Sequence, residues 1–291
     1  MRFLELFCGT KSMSRAFEAR GHEVRTLDLD PRHHPTYCMD IMDFEADTLD
    51  GWIPDGIHAS PDCTYFTVAS LGRNWKLENG IYVPRSEGAY RSMVMVAKTL
   101  QIIHDLEPVW FTVENPLGML RKTGLMNGMD QATVTYCQYG DTAQKPTDIW
   151  HDLRTWTPRP RCKPRSSCHA PAPRGSRNPG STQGKGCRIE RARIPAQLCE
   201  EIAIAAERQY ELLTTADGRF EKLNAHRVLP SIAEGLEREL ITTFDVEAGA
   251  RFSIPDHPSN AVRTRWKAVK TSLSTNGDGS SCRQATLEGW A

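Results

Sequence analysis

The strongest constraint on the fold is an alternation that runs from Phe3 to about Gly140. Short apolar runs that end in a polar turn alternate with stretches of helical period. "RFLELFCG" reads as a buried strand closing on a glycine turn. "SMSRAFEARG" follows as a helix, with Met13, Ala16, Phe17 and Arg20 on one side and Gly21 as its stop. "HEVRTLDLD" is a second strand, and "YCMDIMDF" and "GIHAS" read as the ends of a third and a fourth. "SEGAYRSMVMVAKTLQIIHDLEP" is a long amphipathic helix broken by Pro108. "VWFTVENP" is a strongly apolar strand, and "ATVTYCQYG" reads as another. This pattern predicts an α/β fold, a mostly parallel sheet with helices on both faces.

In such sheets, ligands bind outside the carboxyl ends of the strands. The polar residues at those ends are Cys8 to Thr10, Asp28, Asp40, Ser60 to Cys63, Glu114 and Asn115. The first turn, "FCGTKSMS", joins a strand to a helix N-terminus, a general unit for holding a nucleotide-like group. It lacks the G-x-G-x-x-G form, since Lys11 stands where the second glycine is expected. Asp28, at the end of the second strand, is placed to accept both hydroxyls of a ribose. Asp40 stands at the next strand end, placed to meet an adenine edge. A solvated turn with ordinary surface acids is the other reading of these residues. Cys63 follows a mid-sheet strand in an exposed loop and is either a nucleophile that needs activation or a semi-buried free thiol. Glu114 ends an apolar strand, where it serves to hold or protonate a ring nitrogen, or to cap the next segment.

Taken together the three elements describe one reaction. A thiolate adds to C6 of a cytosine when an acid at N3 lets the ring accept electron density. C5 then attacks an electron-poor methyl group, and loss of the C5 proton expels the thiolate. The pieces "LELFCGTKSMSRAF", "TLDLDP", "MDI", "SPDCTYF", "TVENP" and "QYGDTAQKPTDIW" resemble the DNA (cytosine-5) methyltransferases, of the compact type found in phage-like genomes. The likeness runs in order over residues 1 to 208. It implies a seven-stranded, Rossmann-like methyltransferase sheet and S-adenosylmethionine as methyl donor. It places Cys63 as covalent nucleophile and Glu114 on N3 and the exocyclic amine. Phe7, Cys8, Gly9, Thr10, Asp28, Leu29, Asp40, Ile41 and Ser60 become the cofactor residues. Pro61, Asn115, Pro116, Gln138, Lys145, Arg191 and Arg193 become the substrate residues. The expected partner is double-stranded DNA with the target base flipped out.

The chain departs from the family in several places. Pro61-Asp62-Cys63 stands for Pro-Pro-Cys, and a carboxylate beside a thiol raises its pKa unless it turns away. The Gln-x-Arg-x-Arg pattern is reduced to Gln138, with Lys145 as a replacement for one arginine. "ENP" stands for Glu-Asn-Val. "SNAV", Ser259 to Val262, matches a closing family element literally, but "RARIPAQLCEEIA" better matches the helix that follows that element. The same core acting on RNA cytosine or on a free pyrimidine nucleotide is one alternative. A catalytically silent DNA-binding protein is another.

Residues 1–156 are expected to form the catalytic domain and 189–213 its closing helix. Between them, 157–188 is an irregular basic module rich in Cys, Gly and Pro. The whole chain has a formal net charge of +0, yet Arg159 to Arg193 holds ten basic residues against Glu190 alone. Such a strip suits phosphate. Residues 214–291 form a C-terminal appendage with "VRTRWKAVK" as a second basic candidate. Cys162, Cys168, His169 and Cys187 are a candidate zinc set. Their spacing is looser than Cys-x2-Cys, and loop thiols beside a surface histidine are the preferred reading. No apolar run reaches the roughly 18 residues of a membrane span. No signal peptide is recognisable, and nine scattered cysteines suit reduced thiols. The expectation is a cytoplasmic protein of a phage or prokaryotic host, a monomer by default.

Overall fold

A computed structural model of the chain describes residues 1–163, 166–170 and 188–215. The chain divides into two units, Met1–Val228 and Leu229–Ala291, and the described residues all belong to the first. The expected appendage beyond Thr215, most of the basic strip and Cys187 lie outside them.

Seven strands form one sheet in the order β3-β2-β1-β4-β7-β9-β8. They are β1 (Arg2–Leu6), β2 (Glu23–Asp28), β3 (Tyr37–Cys38), β4 (Gly56–Ala59), β7 (Trp110–Pro116), β8 (Gln131–Thr135) and β9 (Pro146–His151). The β1–β2, β1–β4, β2–β3 and β4–β7 pairs are parallel. Only β9 runs against its neighbours, β7 and β8. The expected mostly parallel seven-stranded sheet is therefore present, and β1, where the order reverses, lies near its middle. Two further strands, β5 (Trp75–Glu78) and β6 (Ile81–Pro84), make a separate hairpin. Its turn is Asn79-Gly80, both at positive φ (48° and 85°), the pairing that two-residue hairpin turns favour.

On one face, Phe3 of β1 stacks on Phe17 at 4.0 Å between ring centroids, and both stack on Trp110 of β7. Phe17 belongs to α1 (Ser12–Ala19). This cluster is closed by Leu198, Cys199, Ile202, Ala203 and Ala206 of α5 (Ala196–Thr215). Arg20 after α1 bridges to Glu200 and Glu207 of α5, and Ile194 N–H donates to Ser12 Oγ at 3.3 Å. Trp110 also explains Gly56. A Cβ there would lie 2.1 Å from the indole, so only glycine lets the ring cross the neighbouring strand.

α3 (Glu87–Leu106) is the long helix expected from the sequence. Ser86 caps it by accepting from Ala89 N–H, and Glu107 ends it at φ 43° before Pro108. Its buried side packs on the 3-10 turns Ile41–Asp43, Ala46–Leu49 and Thr64–Phe66. Two short helices complete the described chain, α2 (Leu71–Asn74) and α4 (Arg188–Ala192).

The expected third strand shrinks to Tyr37–Cys38. Asp40 Oδ1 accepts from Met42 N–H at 3.0 Å and turns the chain into a 3-10 helix. The strand expected through Gly140 ends at Thr135. Tyr136–Tyr139 form a 3-10 turn that Gly140, at φ 87°, terminates.

Candidate active site

The site gathers where β1, β2, β4 and β7 end. The β1–α1 turn holds three residues at positive φ, Phe7 (58°), Gly9 (44°) and Lys11 (54°). For Phe7 and Lys11 this is the strained left-handed region, so the surroundings must hold them there. Asp28 does so in part, accepting from Gly9 N–H at 2.8 Å and from Asp30 N–H at 2.9 Å. The carboxylate thus braces the turn with both of its oxygens.

Glu5, unremarked in the sequence, holds the turn from beneath. It is fully buried in β1 and accepts from Ser14 N–H at 2.9 Å and from Ser14 Oγ. The first N–H groups of α1 have no side-chain cap at Lys11, so this buried carboxylate takes that place. Burial pushes its pKa up to about 7 despite those bonds. A lone carboxylate inside the apolar run "FLELF" was the available signal. Cys8 is buried, and burial with the Glu5 and Asp28 charges pushes its thiol up to about 12. It is a packed thiol lining the turn. Leu29 is 66% exposed beside Asp28, an apolar surface in the open. Ile41 is buried behind Asp40. These residues thus stand together at the ends of β1, β2 and β3, with apolar and carboxylate side chains among them.

Ser60 at the end of β4 is bonded to His58 Nε2 at 2.9 Å, and His58 Nδ1 to Thr112 Oγ1 at 2.7 Å. Burial lowers the His58 pKa to about 3, so the ring is neutral and serves as a strut between β4 and β7.

The Cys63 loop is pinned to the end of β7. Asn115, fully buried, donates from Nδ2 to Pro61 O at 3.0 Å. On the far side Met119 N–H donates to Phe66 O at 2.6 Å. A Cβ on Gly118 would sit 2.2 Å from that same oxygen, so the approach requires glycine. Glu114, the residue before Asn115, is 6% exposed and accepts from Tyr136 Oη at 2.7 Å. Lys145, buried at φ 28°, stands 4.5 Å over the Tyr136 ring and donates to Arg191 O at 2.9 Å.

Cys63 lies within electrostatic reach of Glu114 and Lys145. Its thiol is pushed up to about 11, first by burial, then by the charges of Glu114 and Asp62, with Lys145 acting in the opposite sense. Asp62 turns aside, accepting from Thr64 N–H at 3.2 Å and Thr64 Oγ1 at 2.7 Å. It is therefore engaged with Thr64, though its charge still reaches the sulfur. A hydrogen bond from Asn115 to Pro61 and the charges of Glu114 and Lys145 thus bear on the Cys63 loop. Tyr136 was missed, because it was read as a strand residue.

The remaining substrate candidates lie further along the same rim. Pro116 ends β7, and Leu117 N–H donates to Pro146 O at 2.9 Å. Gln138 offers its carbonyl to Arg159 Nη1 at 2.6 Å. Arg191 meets Lys145 through its backbone, and Arg193 is exposed. Neither guanidinium forms an ion pair among the described residues. Beneath the rim, Arg121 clasps Asp148 of β9, which is fully buried and also accepts from Thr133 Oγ1 at 2.8 Å. Cys162, Cys168 and His169 come together beside Cys137.

No family model matches the chain. It is similar to the "Probable DNA (cytosine-5)-methyltransferase" of Frog virus 3 (isolate Goorha), 29% identical over 188 residues, 62% of this chain and 82% of that protein. The chain is thus similar to a DNA cytosine-5 methyltransferase. Solved structures resembling this methyltransferase-like chain include a prophage-encoded DNA modification methyltransferase of E. coli (16% identical, 52% of this chain and 46% of that one, TM-score 0.38). The Dnmt2 methyltransferase of S. pombe is another (17% identical, 52% and 50%, TM-score 0.36). The chain spans about half the length of those solved chains. Among the described residues no helix is long and apolar enough to cross a membrane.

Proposed function

We propose that this chain methylates C5 of a cytosine in double-stranded DNA, with Cys63 as covalent nucleophile and Glu114 as its partner on the base. The observation that carries the reading is the Asn115–Pro61 hydrogen bond of 3.0 Å, which fixes the thiol loop against the strand end that presents Glu114. The turn of Phe7 to Thr10 with Asp28, Leu29, Asp40 and Ile41 would hold S-adenosylmethionine. A carboxylate rim suits ribose hydroxyls, and the exposed Leu29 suits a planar base. That molecule, when bound, supplies the electrophilic methyl group.

The protein's own part begins with a difficulty. A thiol held at about 11 is almost wholly protonated near neutral pH. Among the charges that hold it there, Glu114 comes first. When a cytosine enters, Glu114 and N3 share a proton, and that obstacle is neutralised. The proton that leaves Cys63 and the one that arrives at N3 balance. The Sγ–C6 bond forms, and electron density moves toward C5. After methyl transfer the C5 proton passes to solvent water as the Sγ–C6 bond breaks, and the N3 proton returns through Glu114 to the Cys63 thiolate, which restores the thiol. Lys145 favours the thiolate throughout. Tyr136 holds Glu114 in one orientation through its hydroxyl. Asp62, engaged with Thr64, is kept off the base.

Arg191, Arg193 and the basic strip supply phosphate contacts and salt-dependent affinity. The target cytosine must leave the duplex to reach a thiol this deep. The described cysteines are all free, which suits a reducing, intracellular setting. Cytosine-resolved sequencing of DNA from cells expressing the chain tests the reading. It should show 5-methylcytosine at one recurring short sequence. Unmodified DNA, with the same result for the Cys63→Ala variant, would favour a silent DNA-binding protein. Modification confined to RNA would move the substrate.

A further inference from the structure

The sheet end beyond the catalytic constellation carries a second cluster that methyl transfer does not use. Cys137 lies in the turn after β8, and Cys162, Cys168 and His169 come from the irregular strip. Cys137 Sγ is 3.3 Å from Cys162 Sγ and 3.6 Å from Cys168 Sγ. His169 Nδ1 is 3.5 Å from Cys168 Sγ and 3.8 Å from Cys162 Sγ. All four atoms lie within 4.8 Å of one another.

Those separations match the edges of a metal-centred tetrahedron. Zinc bonds of about 2.3 Å to sulfur and about 2.0 Å to nitrogen require edges of about 3.8 Å between sulfurs and about 3.5 Å between sulfur and nitrogen. They do not match a disulfide, whose sulfurs are about 2.05 Å apart, and all three cysteines are free. The surroundings are also those of a ligand shell. Gln144 Nε2 donates to Cys162 Sγ at 3.0 Å, as outer residues do for metal-bound thiolates. Cys162 N–H donates to Thr135 Oγ1 at 3.0 Å, and Ala170 N–H to Thr142 O at 3.2 Å. Both bonds fasten the strip to the elements that bear Cys137.

We propose that Cys137, Cys162, Cys168 and His169 bind a zinc ion as a closed structural site. Three thiolates and an imidazole select zinc over hard cations such as magnesium or calcium. Four protein ligands leave no open position, so the metal is a staple and takes no part in chemistry. The strip has few apolar residues with which to bury itself, and a metal replaces that missing core. The staple also reaches the catalytic side of the sheet. Cys137 directly follows Tyr136, whose hydroxyl holds Glu114. Zinc therefore anchors the start of the basic strip to the turn that orients the catalytic carboxylate. The ligand set differs from the one the spacing suggested, with Cys137 in place of Cys187. This inference is independent of the proposed methyl transfer.

The test uses the full chain, expressed in zinc-supplemented medium and purified without chelators or a histidine tag. Elemental analysis should find about one zinc per chain. Replacement by cobalt(II) should give the intense visible bands of tetrahedral cobalt and a thiolate charge-transfer band. Cys168→Ser and His169→Ala, both in the strip, should lose most of the bound metal after dialysis. Cys137→Ser should do the same, and Cys187→Ser should keep it. Less than about a tenth of a zinc per wild-type chain, with no cobalt–thiolate band, would overturn the site whatever the variants do. A Cys137–Cys162 disulfide in non-reducing peptide mapping would also overturn it. So would metal that survives Cys137→Ser and is lost in Cys187→Ser.

Discussion

Replacing Glu114 by glutamine should move two properties of Cys63 in opposite directions. The thiol sits at about 11 against an ordinary 9.0, with Glu114 the largest charge that holds it up. At pH 8 a pKa of about 11 leaves roughly one thiol in a thousand ionised. Glutamine keeps the shape and can still accept from the Tyr136 hydroxyl, but removes the charge. A unit charge about 6–12 Å away, at an effective dielectric of about 20, contributes roughly 1–3 kcal/mol. About 1.4 kcal/mol is one decade of ionisation. Burial remains and is the largest cause, so the gain stays below the full two decades. Iodoacetamide alkylation of Cys63 at pH 8, resolved by peptide mass spectrometry, should therefore speed up about tenfold. Methyl transfer should fall by at least about a hundredfold, because the base loses its proton partner. A variant whose Cys63 alkylates at the wild-type rate or more slowly would refute the argument. Glu114 would then not be the charge that suppresses the thiol.

Three further outcomes follow from the same contacts. Lys145→Met removes the cation that favours the thiolate, so Cys63 alkylation at pH 8 should slow about threefold or more, with methyl transfer falling in parallel. Gly118→Ala places a Cβ against Phe66 O, and should cost about 1–3 kcal/mol in urea unfolding while loosening the turn that follows Cys63. Glu5 is raised from 4.5 to about 7 in the folded protein. The folded state then binds its proton more tightly, so its contribution is whole below about 4.5 and fades as pH rises through 7. Glu5→Gln should accordingly gain on wild type by about 3 kcal/mol between pH 4.5 and 7.5. A constant difference across that range would remove Glu5 from the pH dependence.

The sheet was legible because its central strands are buried on both faces and read as unbroken apolar runs. β1, β4 and β7 are such strands. β9 was not read, since Pro146 opens it and Asp148, buried against Arg121, gives it a polar centre. The β5–β6 hairpin was passed over, although Asn79-Gly80 was its signal. At the site, Cys63, Glu114, Asn115 and Asp28 could be singled out in the sequence because each stands at a strand end. Those that act through a partner distant in sequence were not. Tyr136 reaches Glu114 across 22 positions, and Cys137 reaches Cys162 across 25. Periodicity carries no information about such pairings. Only the reversal of β8 into β9 brings them together.

The proposed methyl transfer turns on a covalent bond between Cys63 and a cytosine. Its most direct test is trapping on duplex DNA that carries 5-fluorocytosine, incubated with S-adenosylmethionine and resolved under denaturing conditions. Fluorine at C5 blocks the final elimination, so a protein–DNA adduct should persist in denaturant and map to Cys63. It should vanish in Cys63→Ala. If the wild-type chain binds both DNA and S-adenosylmethionine yet yields no adduct on a duplex offering every short sequence context, Cys63 is not the nucleophile.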